Sequence, residues 1–188
     1  MNPGCPSLAG MSDAWTVGGA AALQLHAATA GAALNGLVAT WPASVDEDEM
    51  TALRTVTAEG IGLAPLRRPP TGPRRLPVRP AAELMPFAEQ FAVDVSVIDE
   101  QMRGEWFDLV GDAVLDATIV VWVADFVPRV RAALTALFGD DPWFDVPLSR
   151  TRHARLVMDE FSREVALLDA LDPVTTELVR LRCARQHT

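Results

Sequence analysis

The chain has 188 residues, 49% of them hydrophobic, and a formal net charge of -9. That is enough apolar material for a sizeable core and too much for a disordered chain. All 16 basic residues are Arg, and residues 82–148 carry 13 Asp or Glu against 3 Arg. Phosphate binding needs clustered cations, so that acidic middle is excluded as a nucleic-acid surface.

Residues 1–11, with Pro3, Gly4, Pro6 and Gly10, read as a loose leader. Ser12 or Asp13 then caps a helix expected to run to about Leu37 and to stop at Trp41-Pro42. The uncharged run 14–41 has the length of a membrane span. It is Ala/Gly-rich, holds Gln24, His26 and Asn35, and lacks flanking cations, so a closely packed helix is expected and no membrane partner. The first cation is Arg54, and Cys5 and Cys183 are too few for a disulfide framework. Both fit a cytoplasmic protein with reduced thiols; a Cys5–Cys183 bridge is the alternative. Asp46-Glu47-Asp48-Glu49 supplies the acidic first turn of a short helix ending near Glu59.

From Leu66 to Pro80 the chain reads LRRPPTGPRRLPVRP, which prevents helix and favours an extended path. It is read as a solvated connector, with a basic docking strip as the functional alternative. The spacing of Leu84, Phe87, Phe91, Val95, Ile98 and Met102 predicts one amphipathic helix over 83–103, with Glu89, Asp94, Asp99 and Glu100 on its solvated side. After Gly104 and Gly111, Asp112 opens a helix from Ala113 to Phe138 whose first half is apolar nearly all round, as in a central helix. Pro128 should kink it. Asp116 and Asp125 stand out there, as groups with shifted pKa values or as partners of Arg129 or Arg131. Gly139-Asp140-Asp141-Pro142 ends that helix. Another is expected from Ser149 or Thr151 to Leu171, burying Leu156, Phe161, Val165 and Leu168. No strand pattern is convincing. The result is an all-α bundle of about six helices in three parts: a helical segment 1–65, a Pro/Arg-rich linker 66–81 and a helical domain 82–188.

The last stretch, DPVTTELVRLRCARQHT, begins with Asp172 as N-cap and Pro173 at the first helical position, and spaces Val174, Leu178 and Leu181 on one stripe. Upstream there is no GxGxxG, Walker loop, HExxH or GxSxG, and His26, His153 and His187 lie apart from other ligands, so no cofactor or metal is expected.

The strings FAEQFAVDVSVIDE, VADFVPRVRAALTALFG and LDPVTTELVRLRCARQHT resemble the N-terminal helical part of the alkylhydroperoxidase D-like / carboxymuconolactone decarboxylase superfamily, over about residues 82–188. Peroxidase members carry Glu, eleven residues, Cys-x-x-Cys, three residues, His. With Glu177 as that glutamate, the first cysteine falls one position beyond Thr188. The resemblance implies that Glu177 is a base or proton relay. A thiolate of the pair would attack a hydroperoxide, pass through a sulfenic acid and be resolved by the second cysteine. Read from the residues alone, Glu177 is an early-turn glutamate favoured by the helix dipole and paired with Arg180.

The chain departs from that pattern where the sulfur should be. Cys183 falls six residues after Glu177 and lacks a partner cysteine, and His187 precedes the expected pair instead of following it. The expectation is therefore the N-terminal part of a thiol-dependent peroxidase-like oxidoreductase, cut off before its redox centre and inactive alone. The complete protein is expected to be a homo-oligomer acting on a hydroperoxide or lactone. The alternatives are a non-enzymatic helical module that oligomerises or binds a partner, and a decarboxylase or isomerase of the same superfamily.

Overall fold

A computed structural model describes residues 19–69, 79–139, 146–151 and 154–186, with the side chains of 20, 151, 180 and 182–186 left out. Within them the all-α class holds, in eight α-helices and two short 3-10 turns. They are α1 (Gly19–His26), α2 (Ala28–Ala39), α3 (Glu47–Gly60), α4 (Ala81–Val93), α5 (Glu100–Val110), α6 (Val114–Phe138), α7 (Ala154–Ala166) and α8 (Pro173–Gln186). The count exceeds six because two expected helices are each broken once.

The first break is at Ala27, where φ -149° and ψ 57° leave the helical region. Gly31 permits the fold-back of α1 on α2: a Cβ there would lie 3.0 Å from Gln24 Nε2 and 3.3 Å from Leu23 Cγ. Folding back brings α1 onto α6, where a Cβ on Gly19 would lie 2.8 Å from the Leu134 Cβ. The second break replaces the single helix expected over 83–103. Asp94 caps a 3-10 turn, its carboxylate accepting from Ser96 N–H at 2.9 Å, and Asp99 caps α5, accepting from Met102 N–H at 2.8 Å. Both acids, read as part of a solvated face, are instead the punctuation that ends one helix and starts the next. Val95, expected on the buried stripe, is consequently exposed, while Leu84, Phe87 and Ile98 are buried.

α3 starts where the acidic run predicts. Asp46 accepts from Glu49 N–H at 2.8 Å and the Glu49 carboxylate accepts from Asp46 N–H at 3.0 Å, a reciprocal capping box. α5 and α6 end at Gly111 and Gly139, whose φ values of +53° and +89° are strained for any residue with a Cβ.

α6 is the central helix. On one side its Ala117, Val120 and Val121 join Met50, Leu53, Leu84, Phe87 and Trp106 in a core built from α3, α4, α5 and α6. On the other, Ile119, Val123 and Val127 join Leu34, Leu37, Val38 and Phe161 in a core shared with α2 and α7. Segments on either side of the linker thus share one core. Residues 70–78 of that linker, like the leader, Cys5, His153 and His187, lie outside the described residues. α6 continues through the buried Pro128 to Phe138.

Two expectations are corrected near α7. Ser149–Thr151 is not helical but a short strand, β2, paired in parallel with β1 (Thr40–Pro42), with Trp41 opposite Arg150. A run of three residues is too short to show alternation, so no sequence period betrays it. Of the stripe expected on α7, only Phe161 is buried; Leu156, Val165 and Leu168 are exposed, and the helix stops at Ala166. Its contact face is Ala154, Val157, Met158 and Phe161, packed on α2 and α6.

Candidate functional site

The most unusual chemistry lies around residues 38–45, the connection from α2 through β1 to α3. Three arginines from distant places donate to its carbonyls. Arg54 Nη2 reaches Val38 O at 3.0 Å and Thr40 O at 3.5 Å; Arg79 Nη2 reaches Ser44 O at 2.9 Å; Arg150 Nη1 reaches Pro42 O at 3.1 Å and Val45 O at 2.9 Å. Arg150 also lies 3.7 Å over the Trp41 ring, a stacked cation–π contact, and the Trp41 indole N–H donates to Val45 O at 2.8 Å. The Ser44 hydroxyl donates to Asp116, which accounts for that acid on α6. Few other side chains can serve several carbonyls from one planar fork.

Two of these arginines are buried. Arg79 forms a bidentate pair with the buried Glu49, Nε to Oε1 at 2.7 Å and Nη2 to Oε2 at 2.8 Å, and also donates to Val110 O at 3.0 Å. Glu49 thus closes the α3 capping box and neutralises Arg79, so the linker end, α3, α5 and the 38–45 connection share one polar knot. Arg54 has carbonyl partners only, including Arg67 O at 2.8 Å, and its Nε has no hydrogen-bond partner. Burial pushes its guanidinium down to about 10 from the ordinary 12.5.

Chemically the knot holds charge without moving it. Its guanidinium groups bond carbonyls and Glu49, and the two hydroxyls of the connection are engaged as well, Ser44 with Asp116 and Thr40 with Gly36 O at 2.8 Å. Sequence reading passed over Glu49, Arg54, Arg79 and Arg150. A signal did exist for Arg54: Met50, Leu53, Arg54 and Thr57 sit at i, i+3, i+4 and i+7, which puts a cation on the buried stripe of α3.

The residues singled out from sequence do not converge. Asp125 pairs with Arg129 at 2.8 Å, and Arg129 also donates to Ala92 O at 2.9 Å, tying α6 to α4. His26 is exposed at the end of α1. Among the described residues no group of three or more His, Cys, Asp or Glu could hold a metal, and no helix is long and apolar enough to cross a membrane. Glu177 is exposed on α8.

α8 begins as its sequence predicts. Asp172 accepts from the N–H groups of Val174 and Thr175, both at 3.0 Å, and from the Thr175 hydroxyl at 2.5 Å. The Thr175 bonds hold its carboxyl below the ordinary aspartate value of 3.8. The helix makes at most marginal contact with any other described element. Val174, Leu178, Val179 and Leu181 are accordingly 52–69% exposed, and Leu167, Leu168 and Leu171 just before it are exposed too. Elsewhere, a groove of about 210 Å³ runs between α4 and α5, floored by Phe87, Met102, Trp106 and Leu109 and edged by Glu83 and Glu105.

No family model matches the chain, and no solved structure matches it. Two curated proteins of Mycobacterium tuberculosis, from strains CDC 1551 and H37Rv and both described as uncharacterized, are each 45% identical to it over 118 residues. The aligned region is 59% of this chain and 42% of each relative, so the chain spans less than half of the length of the relatives it matches.

Proposed function

We propose that this chain is a helical interaction module whose contact element is α8. The observation that carries the reading is the exposure of Val174, Leu178, Val179 and Leu181 on a properly capped helix. A 14-residue helix in water is marginal by itself, and most helices owe their stability to burial of an apolar face. Here four apolar side chains of the helix stand exposed, three further exposed leucines precede it in sequence, and exposed apolar surface of this kind marks an interaction site. The knot around residues 38–45 ties α2, α3, the linker end and β2 together, so α8 projects from a cross-linked body. Hydrogen exchange over residues 173–186 tests it. Protection in a cell extract that Leu178→Asp abolishes is the expected result; equal, fast exchange in extract and in dilute buffer overturns the reading.

A second reading follows from the resemblance of LDPVTTELVRLRCARQHT to the alkylhydroperoxidase D-like superfamily. In it this chain is the helical N-terminal part of a longer thiol-dependent oxidoreductase acting on a hydroperoxide or lactone. Glu177 is then the base or proton relay, and the redox pair follows α8. Supporting it are the Asp172–Pro173 start of α8 and the solvent-facing position of Glu177 one turn further on. A longer protein containing this chain should consume hydroperoxide with a thiol reductant and lose that turnover on Glu177→Gln. No turnover by the longer protein would sink it, as would a decarboxylation or isomerisation that proceeds without any cysteine pair.

A further inference from the structure

We propose that α8 of one copy docks in the α4–α5 groove of a second copy of this chain. The inference rests on α8 being the contact element and goes further by naming what it binds. Both halves of the contact are present in one molecule, and the charge carried by the α8 sequence is opposite to that of the groove edge. α8 brings a stripe of Val174, Leu178 and Leu181, with a sequence that carries three Arg against one Glu from 173 to 186. The groove brings an apolar floor and an acidic edge, Glu83 on α4 and Glu105 on α5, within a segment whose acids far outnumber its cations. At about 210 Å³ the groove is below the roughly 300 Å³ at which small-molecule sites begin, and it suits the side-chain knobs of a helix better than a cofactor.

The floor is also rigid. Phe87 and Trp106 stack with centroids 4.3 Å apart, and the Trp106 indole N–H donates to Thr118 at 3.0 Å, so the aromatic pair is held in place before any helix arrives. Laying an apolar helical face into such a groove is a common recognition mode, with anchors at i, i+4 and i+7. α8 does not occupy its own molecule's groove, since it makes no substantial contact with α4 or α5. Because helix and groove are different surfaces, the contact is heterologous. It closes only if two copies exchange helices reciprocally or several form a ring.

The experiment is sedimentation velocity on the full chain and two variants, each first checked by circular dichroism and thermal melting for an unchanged fold. One variant, Leu178→Asp with Leu181→Asp, spoils the helix. The other, Glu83→Arg with Glu105→Arg, reverses the groove edge. The unaltered chain should assemble with concentration, and each variant should weaken assembly tenfold or more. Mixing the two variants should restore a one-to-one complex, because the intact groove of one faces the intact helix of the other. An unaltered chain that stays monomeric at every concentration overturns the proposal. So does a groove variant that assembles normally while the helix variant does not; in that case α8 remains the contact element and only its partner surface is wrong. A monomer whose α8 is protected in cell extract likewise removes the second copy as partner and leaves the interaction reading standing.

Discussion

Removing either partner of the Arg79–Glu49 pair should be among the most damaging single changes in the protein. Their side chains are 10% and 1% exposed, with the closest nitrogen–oxygen distance 2.7 Å. At an effective dielectric of about 20, two unit charges that close attract by about 6 kcal/mol, and desolvating the two ions offsets most of it. What remains in a single variant is an uncompensated buried charge, which costs about 3–5 kcal/mol. Arg79→Met strands the Glu49 carboxylate and also removes the donor from Val110 O and Ser44 O. Glu49→Gln keeps the volume and an acceptor for the α3 cap but strands the guanidinium. Each should lower the urea-derived stability by that amount and the melting temperature by about 6–20 °C for a chain of this size. The double variant Glu49→Gln with Arg79→Met removes both charges together and should lose at least about 1 kcal/mol less than the two singles combined. Circular dichroism through a urea titration reads all four proteins. Single losses below about 1 kcal/mol, or strictly additive ones, would refute the account of the knot.

Three further outcomes are expected. Gly19→Ala drives a methyl to 2.8 Å from the Leu134 Cβ and should cost about 1–3 kcal/mol by overpacking the α1–α6 contact; a neutral melt would show that α1 is not held there. Asp172 has a folded pKa below its unfolded one, so its capping contribution is complete above 3.8 and is lost as pH falls through the lower folded value. The amides of Val174 and Thr175 should therefore lose protection only in acid below 3.8, and a midpoint at or above that value refutes the cap. Burial lowers the Arg54 pKa to about 10, so above that value the unfolded state binds more protons and stability should rise with pH; a fall there would contradict its burial as a cation.

Much of the fold was legible because apolar spacing is a local signal. α3 and the start of α8 fall where their caps put them; α6 follows its period although Ala113, not Asp112, stands at its N-cap, and it is central because its first half is apolar nearly all round. The breaks were not legible for the same reason. An acid such as Asp94 or Asp99 reads alike on a solvated face and at a cap until its backbone partner is known. At Ala27 the cause is tertiary, the room that Gly31 leaves for Leu23 and Gln24. The β1–β2 pair joins residues more than a hundred positions apart, and three residues on each side carry no period. Of the candidate surfaces, the exposed α8 face was visible as a stripe whose partner was missing. Its proposed receptor groove depends on α4 and α5 meeting after a break that the sequence conceals.

The distribution of arginine explains why the body and the terminal helix behave so differently. Around residues 38–45, carbonyls that cannot join a helix and can join only three residues of strand must find donors, or their burial would cost about 1–3 kcal/mol each. Arg54, Arg79 and Arg150 supply those donors from α3, the linker end and β2, and the last two link the connection to elements far away in sequence. A lysine offers one point charge and could not span Val38 O and Arg67 O as Arg54 does with its two terminal nitrogens. These three arginines are thus consumed internally, while Glu83 and Glu105 stand at the groove between α4 and α5. α8 differs in sequence, carrying three Arg, and its Val174, Leu178 and Leu181 are exposed among the described residues. In the proposed contact an acidic groove edge would meet a helix whose sequence is basic, which is the charge arrangement that the groove variant Glu83→Arg with Glu105→Arg reverses.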